Sequence, residues 1–249
     1  MSARVRFDFN ECNVLVTGGS NGIGLAIASA FADAGAAVTI TGTRAHAADY
    51  EHDLSRFTYR ALQLTDTAAI DALAASFSGL DVLINNAGAA LPGGRDEWEP
   101  EVFAESLQIN LVGAFRLATA CRAQLAAARL AGGGAIVNLA SMSSYFGIAM
   151  VPGYGAAKAG IVQMTKTLAA TWAADGIRVN AVAPGHISTN MTAPMESIES
   201  IMAPIIARTP MRRWGTADEI PGAVLFLASP AAAFITGQTL PIDGGYSIA

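Results

Sequence analysis

Cysteine is scarce in this sequence, and histidine is nearly as rare. Only Cys12 and Cys121 occur among 249 residues, beside three histidines. Neither residue type shows the spacing of a metal-binding pattern, so we predict no metal site. Both thiols lie in apolar stretches, which favours buried, reduced side chains and a cytoplasmic location.

Charged residues are also few, and long apolar runs are absent. Charged residues make up 14% of the chain and the net charge is -5, which excludes nucleic acid as a partner. Although 52% of the residues are hydrophobic, no uninterrupted run reaches the ~18 residues that a membrane-spanning helix needs. Residues 1–9 contain no apolar core, so we expect no signal peptide. The apolar composition instead predicts a large core and surface that is buried between subunits.

Strand and helix patterns alternate along the whole chain. No low-complexity or Pro/Ser-rich linker divides it, so residues 1–249 are predicted to form one domain. Helices are predicted between the strands, including one long helix over 101–130, a helix capped by Asp66 and a helix that begins after Thr216. This alternation predicts an α/β fold with a doubly wound parallel sheet and helices on both faces. The predicted strands are 12–16, 37–41, 58–64, 81–84, 135–139, 177–182 and 239–242.

The first predicted strand runs into a glycine-rich turn that starts at Thr17 and has the spacing Gly-x-x-x-Gly-x-Gly from Gly18 to Gly24. Glycines let the backbone approach a phosphate, and the N-terminus of the following helix supplies free N–H groups. A tight connection alone would also explain the glycines. The strand before the turn and the helix after it favour dinucleotide binding.

The second predicted strand leads to Gly42, Thr43 and Arg44. An acidic residue here would accept a hydrogen bond from the adenosine 2′-hydroxyl of NAD and would repel the 2′-phosphate of NADP. No acid is present, and the Arg44 guanidinium suits a phosphate. We therefore predict NADP(H) in preference to NAD(H). Thr43 serves either cofactor by hydrogen bonding, and a solvated loop arginine is the alternative reading of Arg44.

Polar residues follow three further strands, at the sheet edge where doubly wound folds bind ligands. Asn85-Asn86-Ala87-Gly88 follows the fourth strand, Ser141 the fifth, and Pro184-Gly185 the sixth. The asparagines also suit a structural role in the turn. Asn110 stands in an apolar helical stretch, where a buried amide needs partners. Those partners are backbone groups across a kink or a water that leads to a site.

Tyr154 and Lys158 stand four residues apart in a stretch that is predicted to be helical to about residue 174. Residues at this spacing share one helix face. At an effective dielectric constant of about 20, an ammonium group ~5 Å from a phenol lowers the phenol pKa by about two. We therefore predict proton transfer by this pair near neutral pH. A chance pair at the start of a surface helix is the alternative.

Together these motifs resemble those of the short-chain dehydrogenases/reductases of about this length, over residues 12–245. The resemblance implies a Rossmann-type fold, a nicotinamide cofactor and a homotetramer or homodimer, of which we expect the tetramer. It implies that Tyr154 is the general acid/base and that Lys158 lowers its pKa and binds the nicotinamide ribose. Ser141 would hydrogen-bond the substrate oxygen, and Asn110 would hold a water in the proton relay.

The resemblance also implies a set of cofactor contacts. Ile23 would act through its backbone, Asn86 would lie near the ribose, and Ile187 and Thr189 would bind the carboxamide. Gln63 is a departure, since the family often has an aspartate there beside the adenine. The implied contacts are Gly18, Ser20, Asn21, Gly22, Ile23, Gly24, Thr43, Arg44, Leu64, Asn86, Ala87, Gly88, Tyr154, Lys158, Pro184, Gly185, Ile187 and Thr189.

The expected activity is hydride transfer between this cofactor and a ketone or secondary alcohol. A catalytically silent NAD(P)-binding regulator on the same fold is the alternative, and the intact set of four catalytic residues argues against it. Residues 188–212 are predicted to form a substrate flap, and the substrate is expected to have an apolar body. Core packing explains several of the apolar residues equally well. The residues that suggest an apolar pocket are Tyr145, Phe146, Met150, Met191, Met195, Ile198 and Met202.

Overall fold

The structure is a computed structural model that describes residues 5–196 and 198–249. Residues 1–4, part of the segment in which we expect no signal peptide, lie outside the described residues, as does Ser197 in the predicted flap. Among the described residues, no helix combines the length and the apolarity needed to cross a membrane.

Seven of the strands form one parallel sheet in the order β3-β2-β1-β4-β5-β6-β9. Among the described residues, β7 and β8 form a separate two-stranded sheet. The order reverses direction between β1 and β4, and their carboxyl ends form the position at which such sheets bind ligands. The strands are β1 Asn13–Val16, β2 Ala37–Gly42, β3 Thr58–Ala61, β4 Val82–Asn85, β5 Gly134–Leu139, β6 Ile177–Pro184, β7 Ile187–Ser188, β8 Gly215–Thr216 and β9 Thr239–Ile242.

Helices cover both faces of this sheet, so the predicted fold class is confirmed. The Asp66 side chain caps α2 by accepting a hydrogen bond from the Ala69 N–H at 3.0 Å, as predicted. The helix predicted after Thr216 begins later, at Pro221, because a turn over Ala217–Glu219 intervenes. The helices are α1 Gly22–Asp33, α2 Thr67–Ala75, α3 Pro100–Leu107, α4 Gly113–Ala120, α5 Arg122–Ala126, α6 Pro152–Trp172, α7 Ala193–Glu196, α8 Glu199–Arg208 and α9 Pro221–Ala228.

The prediction of one long helix over 101–130 is wrong. A π-helical turn, Gln108–Val112, separates α3 from α4, and a break at Cys121 separates α4 from α5. Asn110 lies in the π turn, and its side-chain amide donates to the carbonyl oxygen of Ser106 at 2.9 Å. The apolar periodicity of the sequence continues through both interruptions, so it does not reveal them.

The core lies in two layers, one on each face of the sheet. Val14 and Val16 of β1 point to the layer that contains α1 and α9, whereas Leu15 points to the layer that contains α4 and α6. This alternation follows from the two-residue period of a strand. Because both faces are covered, the central strands are largely apolar. Their buried asparagines are hydrogen-bonded, as in the bond of 2.8 Å from Asn85 of β4 to Asn138 of β5.

Candidate active site

The turn between β1 and α1 has a backbone that only glycine fits. Gly18 has a φ of 64°, in the left-handed region. A Cβ on Gly24 would lie 2.2 Å from the Gly18 carbonyl oxygen and 2.4 Å from Nδ2 of Asn86. Within the described part of the chain, no side chain caps the α1 N-terminus at Asn21. The turn therefore leaves helix N–H groups available, and it fits the phosphates of a dinucleotide.

The residues after β4 hold this turn in place. The Asn86 side-chain nitrogen donates to the carbonyl oxygens of Thr17 and Gly18 at 2.8 and 3.2 Å. The Thr17 hydroxyl in return accepts from the backbone N–H groups of Asn86 and Ala87, each at 3.0 Å. Asn86 therefore has the structural role that we considered for it, and its amide nitrogen is already used.

The end of β2 is covered by a tyrosine that the sequence reasoning missed. The Tyr50 hydroxyl accepts from the Arg44 N–H at 3.1 Å, and it lies 2.3 Å from where a Cβ on Gly42 would be. The Arg44 guanidinium stacks 4.9 Å from the Tyr50 ring centre and donates to the Asp49 carbonyl oxygen. Burial acts to raise the pKa of Tyr50, but hydrogen bonds led by that with Tyr59 lower it on balance. The sequence signal for this Tyr50 contact is Gly42, because a residue without a Cβ leaves room for the tyrosine ring.

The four predicted catalytic side chains converge beyond the carboxyl ends of β4 and β5. A Cβ on Gly88 would lie 2.5 Å from Oδ1 of Asn110 and 3.5 Å from Nζ of Lys158. Nζ of Lys158 lies 5.5 Å from the centre of the Tyr154 ring. The Ser141 side chain lies beside the Tyr154 phenol and acts to lower its pKa. Segments that are far apart in the chain thus meet at one site.

The electrostatics of Tyr154 differ from our prediction. Burial raises its pKa above the usual value and the charge of Glu97 adds to this effect, while the hydrogen bond with Ser141 opposes it. Burial also lowers the pKa of Lys158 to about 8, and its ammonium group donates to the Leu139 carbonyl oxygen at 2.6 Å. The net shift of the Tyr154 pKa is upward, opposite to the predicted direction, because burial is its largest cause and Lys158 is not among the causes.

Glu97 is a second residue that the sequence reasoning missed. Its carboxylate is fully buried and accepts a hydrogen bond from the Tyr154 N–H at 2.8 Å. The surrounding sequence, Arg95-Asp96-Glu97-Trp98-Glu99, is uniformly polar apart from the tryptophan. No local pattern distinguishes the buried glutamate from its exposed neighbours.

The motif after β6 lies on the other side of the glycine-rich turn. A Cβ on Gly22 would lie 3.7 Å from the Thr189 Cβ, so Thr189 faces the start of α1. A Cβ on Gly185 would lie 2.7 Å from the Asp243 Cα, which explains the glycine after Pro184. The side chains of Ile187 and Leu64 are buried in the core. For these two residues, the backbone is the part that remains for a cofactor contact.

The seven predicted apolar pocket residues differ in exposure, and Met195 and Met202 are half-buried. Tyr145, Met150, Met191 and Ile198 are exposed. Phe146 instead packs edge-on against Tyr246, with ring centres 5.6 Å apart. Phe146 therefore belongs to the packing alternative that we considered.

An open groove of about 450 Å³ runs between the segment that precedes α3 and the loop that follows β5. Trp98, which the sequence reasoning did not select, is exposed in this groove, and its indole N–H donates to the Ala149 carbonyl oxygen at 2.8 Å. The groove is lined by Leu91, Gly94, Arg95, Asp96, Trp98, Ala149 and Met150.

Comparisons with known proteins agree with this geometry. Residues 18–247 match a family model described as enoyl-(acyl carrier protein) reductase. The cis-4-hydroxycyclohexanecarboxylate dehydrogenase of Sinomonas cyclohexanicum is 39% identical over 248 residues, which cover 96% of this chain and 98% of that protein. A glucose/ribitol dehydrogenase from Brucella melitensis, described as a short-chain dehydrogenase/reductase, has a TM-score of 0.86 at 30% identity and covers 98% of this chain and 100% of its own. A gluconate 5-dehydrogenase from Burkholderia cenocepacia, solved with NADP and tartrate, has a TM-score of 0.86 at 33% identity, with 98% of both chains covered.

Proposed function

The chain belongs to the short-chain dehydrogenase/reductase family, and we propose that Asn110, Ser141, Tyr154 and Lys158 are its catalytic residues. The family assignment makes it an oxidoreductase that uses a nicotinamide cofactor, as predicted. The matches give no support to a silent regulator. The observation that carries the residue assignment is the convergence of Asn110 and Lys158 at Gly88, with the Tyr154 ring centre 5.5 Å from the Lys158 ammonium nitrogen.

The proposed chemistry is a proton transfer at the oxygen of a ketone or secondary alcohol. A bound nicotinamide cofactor supplies or accepts the hydride. In reduction, Tyr154 donates its phenolic proton to the substrate oxygen while the Ser141 hydroxyl donates a hydrogen bond to the same oxygen. The raised pKa of Tyr154 keeps the phenol protonated, which suits it as the proton donor. In oxidation the same phenol, once deprotonated, is the base.

Asn110 is proposed to hold a water in the proton relay. Its Nδ2 donates to the Ala89 carbonyl oxygen at 2.8 Å, and its Oδ1 accepts from the Ala89 N–H at 3.0 Å. These bonds fix the amide beside Gly88. Lys158 is proposed to contact the nicotinamide ribose through its ammonium group, which reaches the same point from the other side.

We propose NADP(H) as the preferred cofactor. Position 42 holds a glycine in place of an acid, and the Arg44 guanidinium lies over the Tyr50 ring that covers this strand end, which supports the choice. The similarity to a gluconate 5-dehydrogenase that binds NADP points the same way. The phosphates would be held by the glycine-rich turn and the N-terminus of α1, and the backbone of Ile187 with the Thr189 side chain would hold the carboxamide.

The proposed substrate is a secondary alcohol or ketone on a compact body with an apolar face. The groove beside Trp98 and Met150 offers apolar surface, and Leu91 in its wall bonds to the same Glu97 carboxylate as the Tyr154 N–H. Residues 188–212, which include α7 and α8, are proposed to cover the bound substrate. The dehydrogenase from Sinomonas cyclohexanicum, named for a hydroxylated cyclohexane ring that bears a carboxylate, supports this substrate class.

A homotetramer in the cytoplasm is proposed as the working form. Phe115 of α4 and Phe234 are exposed at 47% and 105% of their reference areas, so both rings offer apolar surface for a partner subunit. Cys12 and Cys121 are free and buried, which fits a reducing compartment.

A screen of ketones and secondary alcohols with both cofactors tests the proposed function. We expect cofactor oxidation or reduction that depends on the added substrate, first with cyclic and sugar-derived hydroxy acids and their ketones. A crystal structure with cofactor and substrate then tests whether Tyr154 contacts the reacting oxygen. Tight cofactor binding without turnover of any compound in the screen would contradict the proposal and favour a regulator.

A further inference from the structure

A carboxylate without an ionic partner is buried beneath the catalytic helix. Glu97 is 0% exposed. Among the ion pairs of the described residues, none includes Glu97. A buried carboxylate needs hydrogen-bond donors to offset its lost hydration. The position of its donors indicates what the carboxylate does.

One oxygen of Glu97 caps α6 at Tyr154. Oε2 accepts from the Tyr154 N–H at 2.8 Å, across 57 residues of sequence. Within the described chain, Val151 at the helix start provides no side-chain cap. Negative charge at a helix N-terminus is stabilised by the free N–H groups and by the helix dipole. A Cβ on Gly153 would lie 3.2 Å from this oxygen, so glycine lets the carboxylate approach the first turn.

The other oxygen of Glu97 holds the segment that leads to α3. Oε1 accepts from the Leu91 N–H at 2.8 Å. Leu91 has a φ of 49°, a left-handed conformation that is uncommon for a residue other than glycine. Leu91 also lines the open groove beside Trp98. The carboxylate thus fixes both the catalytic helix and one wall of this groove.

A hydroxyl connects the same carboxylate to Asn110. The Ser106 hydroxyl lies 3.4 Å from Oε1 of Glu97, as a donor, and 3.3 Å from Nδ2 of Asn110, as an acceptor. The buried path runs from the Tyr154 backbone through Glu97 and Ser106 to Asn110. It joins two of the proposed catalytic residues beneath the site.

We propose that Glu97 is a positioning residue for this enzyme, whose carboxylate holds Tyr154 in register with Asn110 and fixes the groove wall at Leu91. The proposal rests on the proposed function of Tyr154. It adds a charged group that touches neither the reacting atoms nor the cofactor-binding turn. Removing the charge is expected to change proton transfer and leave cofactor binding intact.

The other charged groups near Tyr154 lie on α6 and α3. On α6 the neighbour is Lys158, whose ammonium group bonds to Leu139. On α3, Glu101 is exposed and Glu105 is paired with Arg95. Replacing Glu97 therefore isolates the effect of a buried negative charge on the titration of Tyr154.

The variant Glu97→Gln keeps the size of the side chain and removes its charge. We expect kcat to fall by roughly tenfold to a hundredfold, the scale of a misplaced catalytic group, while the Kd for cofactor stays within about twofold. The acid limb of the pH profile for alcohol oxidation should move to lower pH, because a nearby negative charge disfavours the phenolate. NMR of tyrosine labelled at the phenolic carbon, assigned with Tyr154→Phe, reads this titration without turnover.

The matched control is Glu99→Gln, which removes an exposed charge two residues away and should behave as wild type. Glu97→Asp retains the charge but shortens the side chain, so we expect it to restore the pH limb and only part of kcat. A folded Glu97→Gln protein with unchanged kcat and unchanged Tyr154 titration would overturn the proposal. If that variant does not fold, an Asp variant with wild-type kcat would overturn it. The NMR titration separates these outcomes from a failure to find the substrate.

Discussion

The ammonium nitrogen of Lys158 lies 5.5 Å from the centre of the Tyr154 ring, and its hydrogen bond goes to the Leu139 carbonyl oxygen. Burial disfavours the charged form of each group, so the pKa of Lys158 falls to about 8 while that of Tyr154 rises. For Tyr154 the hydrogen bond with Ser141 is the opposing effect, and it is the smaller one here. The raised pKa keeps the Tyr154 phenol protonated, which is the form that donates a proton.

Lys158→Met should stabilise the protein at about pH 7, because it removes a buried ammonium group whose charge costs free energy in the folded state. The folded-state pKa of Lys158, about 8, is below the ordinary value of 10.5, so the unfolded chain binds more protons between these two values. The free energy of unfolding therefore gains up to roughly 3 kcal/mol as pH rises through this window, and the gain should vanish in the variant. Denaturant unfolding across this pH range measures it, with exposed Lys166→Met as the control. Equal pH dependence in wild type and Lys158→Met would refute the burial argument.

Gly88→Ala should damage the site while leaving the sheet intact. A methyl group there would lie 2.5 Å from Oδ1 of Asn110 and 3.5 Å from Nζ of Lys158. Overpacking of this kind costs about 1–3 kcal/mol, so we expect weaker cofactor binding and roughly tenfold or greater loss of kcat/KM. Gly79→Ala is the control, because within the described structure its Cβ would meet no atom within 4 Å. Full activity in Gly88→Ala would show that Asn110 and Lys158 do not need this close approach.

Arg44→Ala tests the cofactor preference. A charge-assisted contact with the 2′-phosphate is worth about 1.5–3 kcal/mol, so NADP(H) affinity should fall roughly 10- to 100-fold while NAD(H) affinity is unchanged. Fluorescence titration of both cofactors measures the difference. Arg56→Ala, which removes an exposed arginine paired with Asp33, is the matched control. NAD(H) binding that is tighter and indifferent to Arg44→Ala would reverse the preference.

Light scattering should give the mass of a tetramer at micromolar concentration. Phe115→Asp places a charge on the exposed α4 surface and should shift the protein toward smaller species if that surface is an interface. Trp98→Ala, in the groove beside the active site, should leave the mass unchanged. A wild-type monomer would rule out the proposed assembly.

The sequence predicted the parts of the site that are short contiguous motifs at the ends of strands. The glycine-rich turn, Asn86, Ser141 and Tyr154 each follow or begin a recognisable element. Because parallel strands present their carboxyl ends at one edge of the sheet, the topology brings such residues together without further information. Fold class and sheet order then place these predicted residues at a common site.

The parts that the sequence did not predict depend on contacts between distant segments or on a change in helical pitch. Glu97 contacts Tyr154 across 57 residues, and nothing in its polar surroundings marks it as buried. The π turn at Asn110 inserts a wider turn into an otherwise continuous apolar pattern, which periodicity does not resolve. The Tyr154 pKa was predicted in the wrong direction because burial is a property of the packed structure.

The central claim is that the Tyr154 phenol transfers the proton, and Tyr154→Phe tests it most directly. The substitution keeps the ring and removes the exchangeable proton, so cofactor binding should remain nearly unchanged while kcat falls at least ~10²-fold. Tyr145→Phe removes an exposed phenol from the loop after β5 and should retain wild-type turnover. Steady-state turnover of Tyr154→Phe near the wild-type rate would contradict the account.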